Sequence, residues 1–181
     1  GESCTQGSII SSSDEQDCCS GTCSPEPGSM DPEELQVYVG DASMLTYSIP
    51  GILSEAQLTI EYPAGLILES MDTYPEMISS QISQTGADVT LGSGDGVQAN
   101  MTFISPSSGN MIVNASALVK SGGNDISYDT ISSVLEYCQI ISASWSNDSV
   151  ESGTQVELSA VSENCPEISY SIFSVSDPSE L

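Results

Sequence analysis

Apolar residues in this chain recur at every second position, in short runs punctuated by glycine, proline and polar turns. In "NMIVNASALVKSGG" the alternate positions Met111, Val113, Ala115, Ala117 and Val119 are all apolar or small. A period of two lines one face of a strand, whereas a helix of 3.6 residues per turn would scatter the same residues around its circumference. The pattern recurs in "LQVYV" (Leu35, Val37 and Val39 inward, Gln36 and Tyr38 outward) and in "GDASMLTYSIPG" (Leu45, Tyr47, Ile49). "AQLTIEYPAGLILES" carries Leu58, Ile60 and Tyr62, a Pro-Ala-Gly turn, then Leu66 and Leu68. "ADVTLGSGDGVQANMTFIS" reads as a hairpin, with Val89 and Leu91 before the "GSGDG" turn and Met101 and Phe103 after it; "ISSVLEYC" closes the series. Residues 71–86 are less regular and read as a loop or one helical turn around "PEMISSQIS". Seven or eight short strands over about 100 residues predict an all-β, antiparallel, Ig-like β-sandwich spanning residues 35–138.

Charge narrows the function further. The chain has 26 Asp and Glu, a single basic residue (Lys120) and no His, for a net charge of −25. Nothing neutralises phosphates, so a nucleic-acid partner is not expected, and an anionic membrane surface would repel the chain. Without His or Arg, the Ser-His-Asp, Cys-His and P-loop constellations cannot be assembled. A pair of carboxylates for glycoside hydrolysis is the one catalytic arrangement left, and acids this numerous pair by chance. The expectation is therefore no enzyme and no catalytic residues. The carboxylates at 14–17, 31–34 and near Asp95 lack the spacing of an EF-hand loop. They read as solvated surface with no metal site, holding divalent cations only loosely, and no cofactor is expected. No apolar run reaches the 18 or so residues of a membrane-spanning helix. The first residue is Gly1 rather than Met, which reads as the mark of a removed leader. The polar start also differs from the long apolar N-terminal helix of type IV pilins.

Six cysteines stand at positions 4, 18, 19, 23, 138 and 165. An even number without paired C-x-x-C elements or His favours disulfides in an oxidising compartment over zinc. Cys138 ends the last strand of the sandwich and Cys165 lies in the tail. A bond between them would close a loop of about 27 residues and contribute roughly 3 kcal/mol. Among Cys4, Cys18, Cys19 and Cys23 three pairings are open. The segment "CTQGSIISSSDEQDCCSGTC" resembles the inhibitor-cystine-knot (knottin) pattern over some 20 residues, with two of that pattern's six cysteines missing. The resemblance implies Cys4–Cys19 and leaves Cys18 with Cys23, in a disulfide-tied terminal segment (residues 1–24) without toxin-like activity. A Pro- and acid-rich linker is expected at 25–34.

Residues 139–181 change character. Trp145 in a short first strand, the "VESGTQVEL" turn and second strand, and "ENC" before an alternating third strand resemble the opening of an Ig-like module of secreted archaeal cell-surface proteins. Pro166 stands where that pattern often has Gly. Only three strands are legible, 141–145, 155–161 and 168–175, and their apolar face (Val156, Leu158, Ile168, Tyr170, Ile172) cannot be buried unaided. Either the segment extends the first sandwich, or the chain continues beyond Leu181, or strands of a neighbouring molecule complete it.

Three sequons, at Asn100, Asn114 and Asn147, alternate with core positions or fall in a turn, so each could carry an N-linked glycan. These features together predict an extracellular, cell-surface protein. The first functional expectation is a structural subunit of a filament, sheath or similar assembly, whose partners are copies of itself joined by β-strand complementation. The alternative is an adhesin or carbohydrate-binding module of a larger envelope glycoprotein.

Overall fold

A computed structural model describes residues 27–147, 149, 151 and 153–168. It is a β-sandwich of eleven strands with no helix among the described residues. The strands are β1 (Ser29–Asp31), β2 (Glu34–Tyr38), β3 (Ala42–Leu53), β4 (Glu55–Glu61), β5 (Ile67–Tyr74) and β6 (Met77–Ile82). Then follow β7 (Gly86–Leu91), β8 (Gly94–Ile104), β9 (Gly109–Ser121), β10 (Asn124–Trp145) and β11 (Leu158–Glu163). One sheet has the order β1-β3-β8-β5. The other runs β11-β10-β9-β4-β7-β6, with β2 as its seventh strand beside β10. All pairings are antiparallel except β2 with β10, where Glu34–Tyr38 runs parallel to Val134–Cys138.

The alternation read from sequence is the alternation the sandwich buries. Leu45, Tyr47 and Ile49 of β3, Leu58 and Ile60 of β4, Val89 and Leu91 of β7, Met101 and Phe103 of β8, and Val113, Ala115, Ala117 and Val119 of β9 all lie in the core. Leu35, Val37 and Val39 pack partly buried against it. Phe103 is fully buried and meets Tyr62 edge-to-face at a centroid distance of 5.4 Å. Burying a side chain of this kind stabilises by about 1.5–3 kcal/mol. A buried polar contact spans the two sheets: the hydroxyls of Ser43 (β3) and Tyr137 (β10) lie 2.8 Å apart, and both are within 3.2 Å of the Phe103 carbonyl. Buried oxygens placed so are satisfied by one another.

Three expectations are corrected. Residues 71–86 are neither loop nor helical turn: they contain the end of β5, all of β6 and the start of β7. The serine-rich composition hid a strand lying at the sheet edge, where no buried face imposes alternation. The "GSGDG" segment does not close a hairpin, because β7 belongs to the seven-stranded sheet and β8 to the four-stranded one. The chain crosses between layers there. Gly96 accommodates the irregularity, with φ of 91° and a position where a Cβ would come 2.9 Å from the Ile49 carbonyl oxygen. Within the stretch expected to be a linker, Ser29–Asp31 pairs with β3 and Met30 is buried. Finally, β10 runs unbroken through the boundary expected after residue 138, so the tail continues the last strand of the sandwich, as the first of its three readings had it. The hairpin into β10 turns through Gly122 and Gly123, with φ of 57° and 85°, the left-handed pair that a two-residue turn matched to strand twist requires.

Candidate functional site

The last β9 partner of β10 is Gly109, opposite Tyr137. From Cys138 onward β10 continues for eight residues, about 26 Å at the usual strand rise. Its partner there is β11, from Gln139↔Glu163 to Trp145↔Leu158, with a bulge at Ile141. Beyond the last pair, the Ser146 amide donates to the Glu157 carbonyl at 2.8 Å, and the Glu157 amide donates to the Ser146 hydroxyl at 3.0 Å. The result is a two-stranded ribbon running on from the sandwich.

Its apolar side chains are not covered. Ile140, Ile141, Trp145 and Val161 are 44%, 59%, 40% and 55% exposed, although the sequence surrounds them with serines rather than charges. An isolated two-stranded ribbon is at best marginally stable in water. The Cys138–Cys165 disulfide compensates by pinning its base. Cys138 is buried, and the two Cα atoms are 4.8 Å apart. Asn164, at φ 54°, turns the chain back toward β10, and its Nδ2 donates to the Tyr137 carbonyl at 3.2 Å. Asparagine tolerates that left-handed conformation better than most residues. Beside the bond lies a hollow of about 300 Å³ lined by Gln36, Val37, Tyr38, Cys138, Glu167 and Ile168.

The sequons are distributed over the molecule. Asn100 lies on central strand β8, between buried Ala99 and Met101, and so faces outward from the four-stranded sheet. Its Oδ1 accepts from Thr46 Oγ1 at 2.9 Å and from Gln98 Nε2 at 3.3 Å. Asn114 lies on β9, facing outward from the other sheet, and its Oδ1 accepts from Ser132 Oγ at 2.7 Å. In both, the carbonyl end of the amide is engaged by neighbours, and Nδ2 is the atom a glycan would occupy. Asn147 is exposed just beyond β10. Any glycans would therefore stand on both broad faces and beside the ribbon.

Among the described residues no group of three or more Cys, Asp or Glu is placed to hold a metal, and Asp31, Glu33, Glu34 and Asp95 are exposed. Lys120 pairs with Glu55 at 2.7 Å on the surface, and this hydrogen bond raises the lysine pKa. Burial pushes the Tyr47 phenol up to about 12, with a smaller contribution from Tyr128, and raises Tyr62 and Tyr137. Cys4, Cys18, Cys19 and Cys23, the acids at 14–17 and most of the expected third tail strand lie outside the described residues.

Sequence reasoning identified Cys138, Cys165 and Trp145. It missed Ile140 and Ile141, whose adjacency breaks the alternation; Tyr38 is exposed as its outward position implied, but its place beside the disulfide depends on where β2 docks. The adjacent isoleucines were the one available signal: a bulge sets neighbouring residues outside the two-residue period.

No family model matches the chain, and no curated protein matches it. Among solved structures it is similar to a non-cellulosomal cohesin from the hyperthermophilic archaeon Archaeoglobus fulgidus, with 14% identity and a TM-score of 0.50, covering 62% of this chain and 91% of that one. It is also similar to the C-terminal domain of the Streptococcus pyogenes antigen I/II-family protein AspA (12% identity, 62% of this chain, 47% of that one, TM-score 0.43). The corresponding domain of Streptococcus agalactiae BspA gives 12% identity, 56% and 44% coverage and a TM-score of 0.41. The chain spans less than half of either streptococcal structure. At 14% identity the likeness to the cohesin shows the fold, a two-sheet sandwich, and leaves function to the chemistry of this chain. It does not bear on the knottin-like segment, which lies outside the described residues.

Proposed function

We propose that this protein is a module of an extracellular surface assembly, and that copies of it join by β-strand pairing through the ribbon of β10 and β11. The observation that carries the reading is the ribbon itself: a covalently pinned extension whose Ile140, Ile141, Trp145 and Val161 face solvent. Side chains like these are left uncovered when they are destined for a partner. The disulfide requires an oxidising compartment, which supports placement outside the cell. A net charge of −25 has to be screened before copies approach, so assembly is expected in high salt or with divalent cations. An adhesin reading finds less support. The exposed aromatics Tyr38, Tyr74 and Trp145 stand on separate elements, with Tyr74 on the opposite sheet, and so make no shared stacking platform.

Sedimentation velocity and electron microscopy of the purified full chain, in salt from moderate to near saturation, test this. Polymers are expected in the parent. They should be lost in the Ile141→Asp/Val161→Asp double variant, whose changes are on exposed residues and leave the core untouched. A parent that stays monodisperse and monomeric at every salt concentration, or a double variant that polymerises as well as the parent, would overturn the proposal.

A further inference from the structure

In the seven-stranded sheet the ribbon strand β11 and the strand β6 each pair with a single neighbour, β10 and β7, and so each leaves one edge free. We infer that β6 is the acceptor edge for the ribbon of the next copy, so that molecules join head to tail into one continuous sheet; this rests on the strand-pairing function proposed above.

The backbone geometry shows which groups each edge offers. The Ser83 amide donates to the Gly86 carbonyl at 2.8 Å, and the register continues as Ile82↔Ala87, Gln81↔Asp88 and Ser80↔Val89. Antiparallel pairs alternate between bonded and non-bonded positions. Gln81 therefore bonds inward to β7, while the amides and carbonyls of Ser80 and Ile82 point out of the sheet. At the other end, the Ser146–Glu157 bond sets the same alternation along Trp145↔Leu158, Ser144↔Ser159 and Ala143↔Ala160. Ser159 bonds inward, and Leu158 and Ala160 present theirs outward. Each edge strand is six residues long.

Neither edge carries charge or proline along its central residues. Proteins that stay monomeric blunt such edges with charge or proline. This chain carries 26 acidic residues among 181, yet none falls between 77 and 87, and none between 158 and 162. The acids flank instead, at Glu76, Asp88, Glu157 and Glu163. Ile78 and Ile82 on β6 are 66% and 59% exposed, apolar like the exposed Val161 of β11. The occupant is a second copy for reasons of charge. Most other surfaces of two approaching copies would set carboxylate against carboxylate, and a basic partner would be drawn to those carboxylates rather than to these two neutral strips. Because the two edges differ, the contact is heterologous and leaves a free donor and a free acceptor at the ends, which generates an open array.

Two full-length proline variants test the assignment. Ser80→Pro and Ala160→Pro each delete an outward-facing amide, leaving the inward ladder of that strand intact. Each alone is expected to stay monomeric under conditions where the parent polymerises. Mixed in equal amounts they should form a 1:1 dimer and nothing larger, since one variant retains the donor edge and the other the acceptor. The exposed-residue variants Ile82→Asp and Val161→Asp should behave as the same complementary pair, which separates loss of pairing from any misfolding caused by proline. Polymers of Ser80→Pro and Ile82→Asp alongside monomeric Ala160→Pro would overturn β6 as the acceptor and leave the ribbon reading standing. Dimers in Ala160→Pro alone would mean that β6 pairs with β6. Polymers in all four variants would overturn the ribbon reading as well.

Discussion

Reducing the Cys138–Cys165 bond should free the ribbon without weakening the sandwich. The bond closes a loop of 27 residues around β11 and the turn before it. For a loop of that length the chain-entropy relation gives about 3.5 kcal/mol at 25 °C, because opening the ribbon with the bond intact still holds its two ends together. The sandwich contributes little else to holding the ribbon: residues 139–147 are all exposed. Losing the constraint therefore multiplies the open population by about 400. Hydrogen exchange read by NMR resolves this by residue. The amides expected to bond inward along the ribbon, those of Ser142, Ser144, Ser159 and Val161, should exchange faster by that factor after mild reduction or in a Cys138→Ala/Cys165→Ala variant. The amides of Val113 and Leu135, in the core strands, should keep their protection. Equal acceleration in ribbon and core would refute the reasoning, since it would mean the bond stabilises the whole sandwich. Unchanged ribbon exchange would refute it too, since strand pairing alone would then suffice.

Further outcomes follow from the core. Tyr47 Oη is buried with no hydrogen-bond partner among the described residues, whereas Tyr137 Oη is engaged by Ser43. Tyr47→Phe should thus stabilise by about 1 kcal/mol and Tyr137→Phe should cost about the same, as read from urea midpoints; costs of equal sign would contradict the assignment. Burial holds Tyr47 in its neutral form, with its pKa lifted from 10.0 to about 12. Its contribution to stability is therefore complete below pH 10 and declines as pH rises from about 10 to about 12, where the unfolded chain ionises and the folded one does not. A melting temperature that held constant across that window would count against it. Gly96→Ala should cost about 1–3 kcal/mol, since its φ of 91° and the nearby Ile49 carbonyl both disfavour a side chain. Intact-mass and peptide mass spectrometry of the native protein should find glycan on at least one of Asn100, Asn114 and Asn147; bare asparagine at all three would remove the surface sugar from the picture.

Much of the core was legible because alternation and burial are the same fact seen twice. Leu45, Tyr47 and Ile49, or Val113 through Val119, are apolar at every second position because one face of each strand is covered. The central strands were therefore found with their inward faces correct. The strands that escaped notice are those for which the relation fails. β6 is exposed along nearly its whole length, so nothing selected an alternating pattern in "MISSQI". β1 is three residues long and buries only Met30, too little to rise above a proline-rich context. The supposed β7–β8 hairpin shows a different limit. A glycine-rich turn between two alternating runs looks alike whether the strands become neighbours or part company into opposite sheets.

Composition and periodicity, taken alone, determined a β-sandwich with named inward residues and a chain of strongly negative charge. These are local or additive properties: each depends on a residue and its near neighbours in the chain, or on a sum over all of them. Which strands pair, which edges stay open, and that β10 leaves the sandwich as a ribbon pinned at Cys138 are properties of contacts between residues far apart in sequence. Ser43 meets Tyr137 across 94 positions. No local pattern encodes such meetings. The two uncharged strips at 77–87 and 158–162 were visible as strings of letters, but only the tertiary structure decided that each includes an edge strand of the same sheet, because edge and centre are positions in an assembled sheet and have no meaning along a chain.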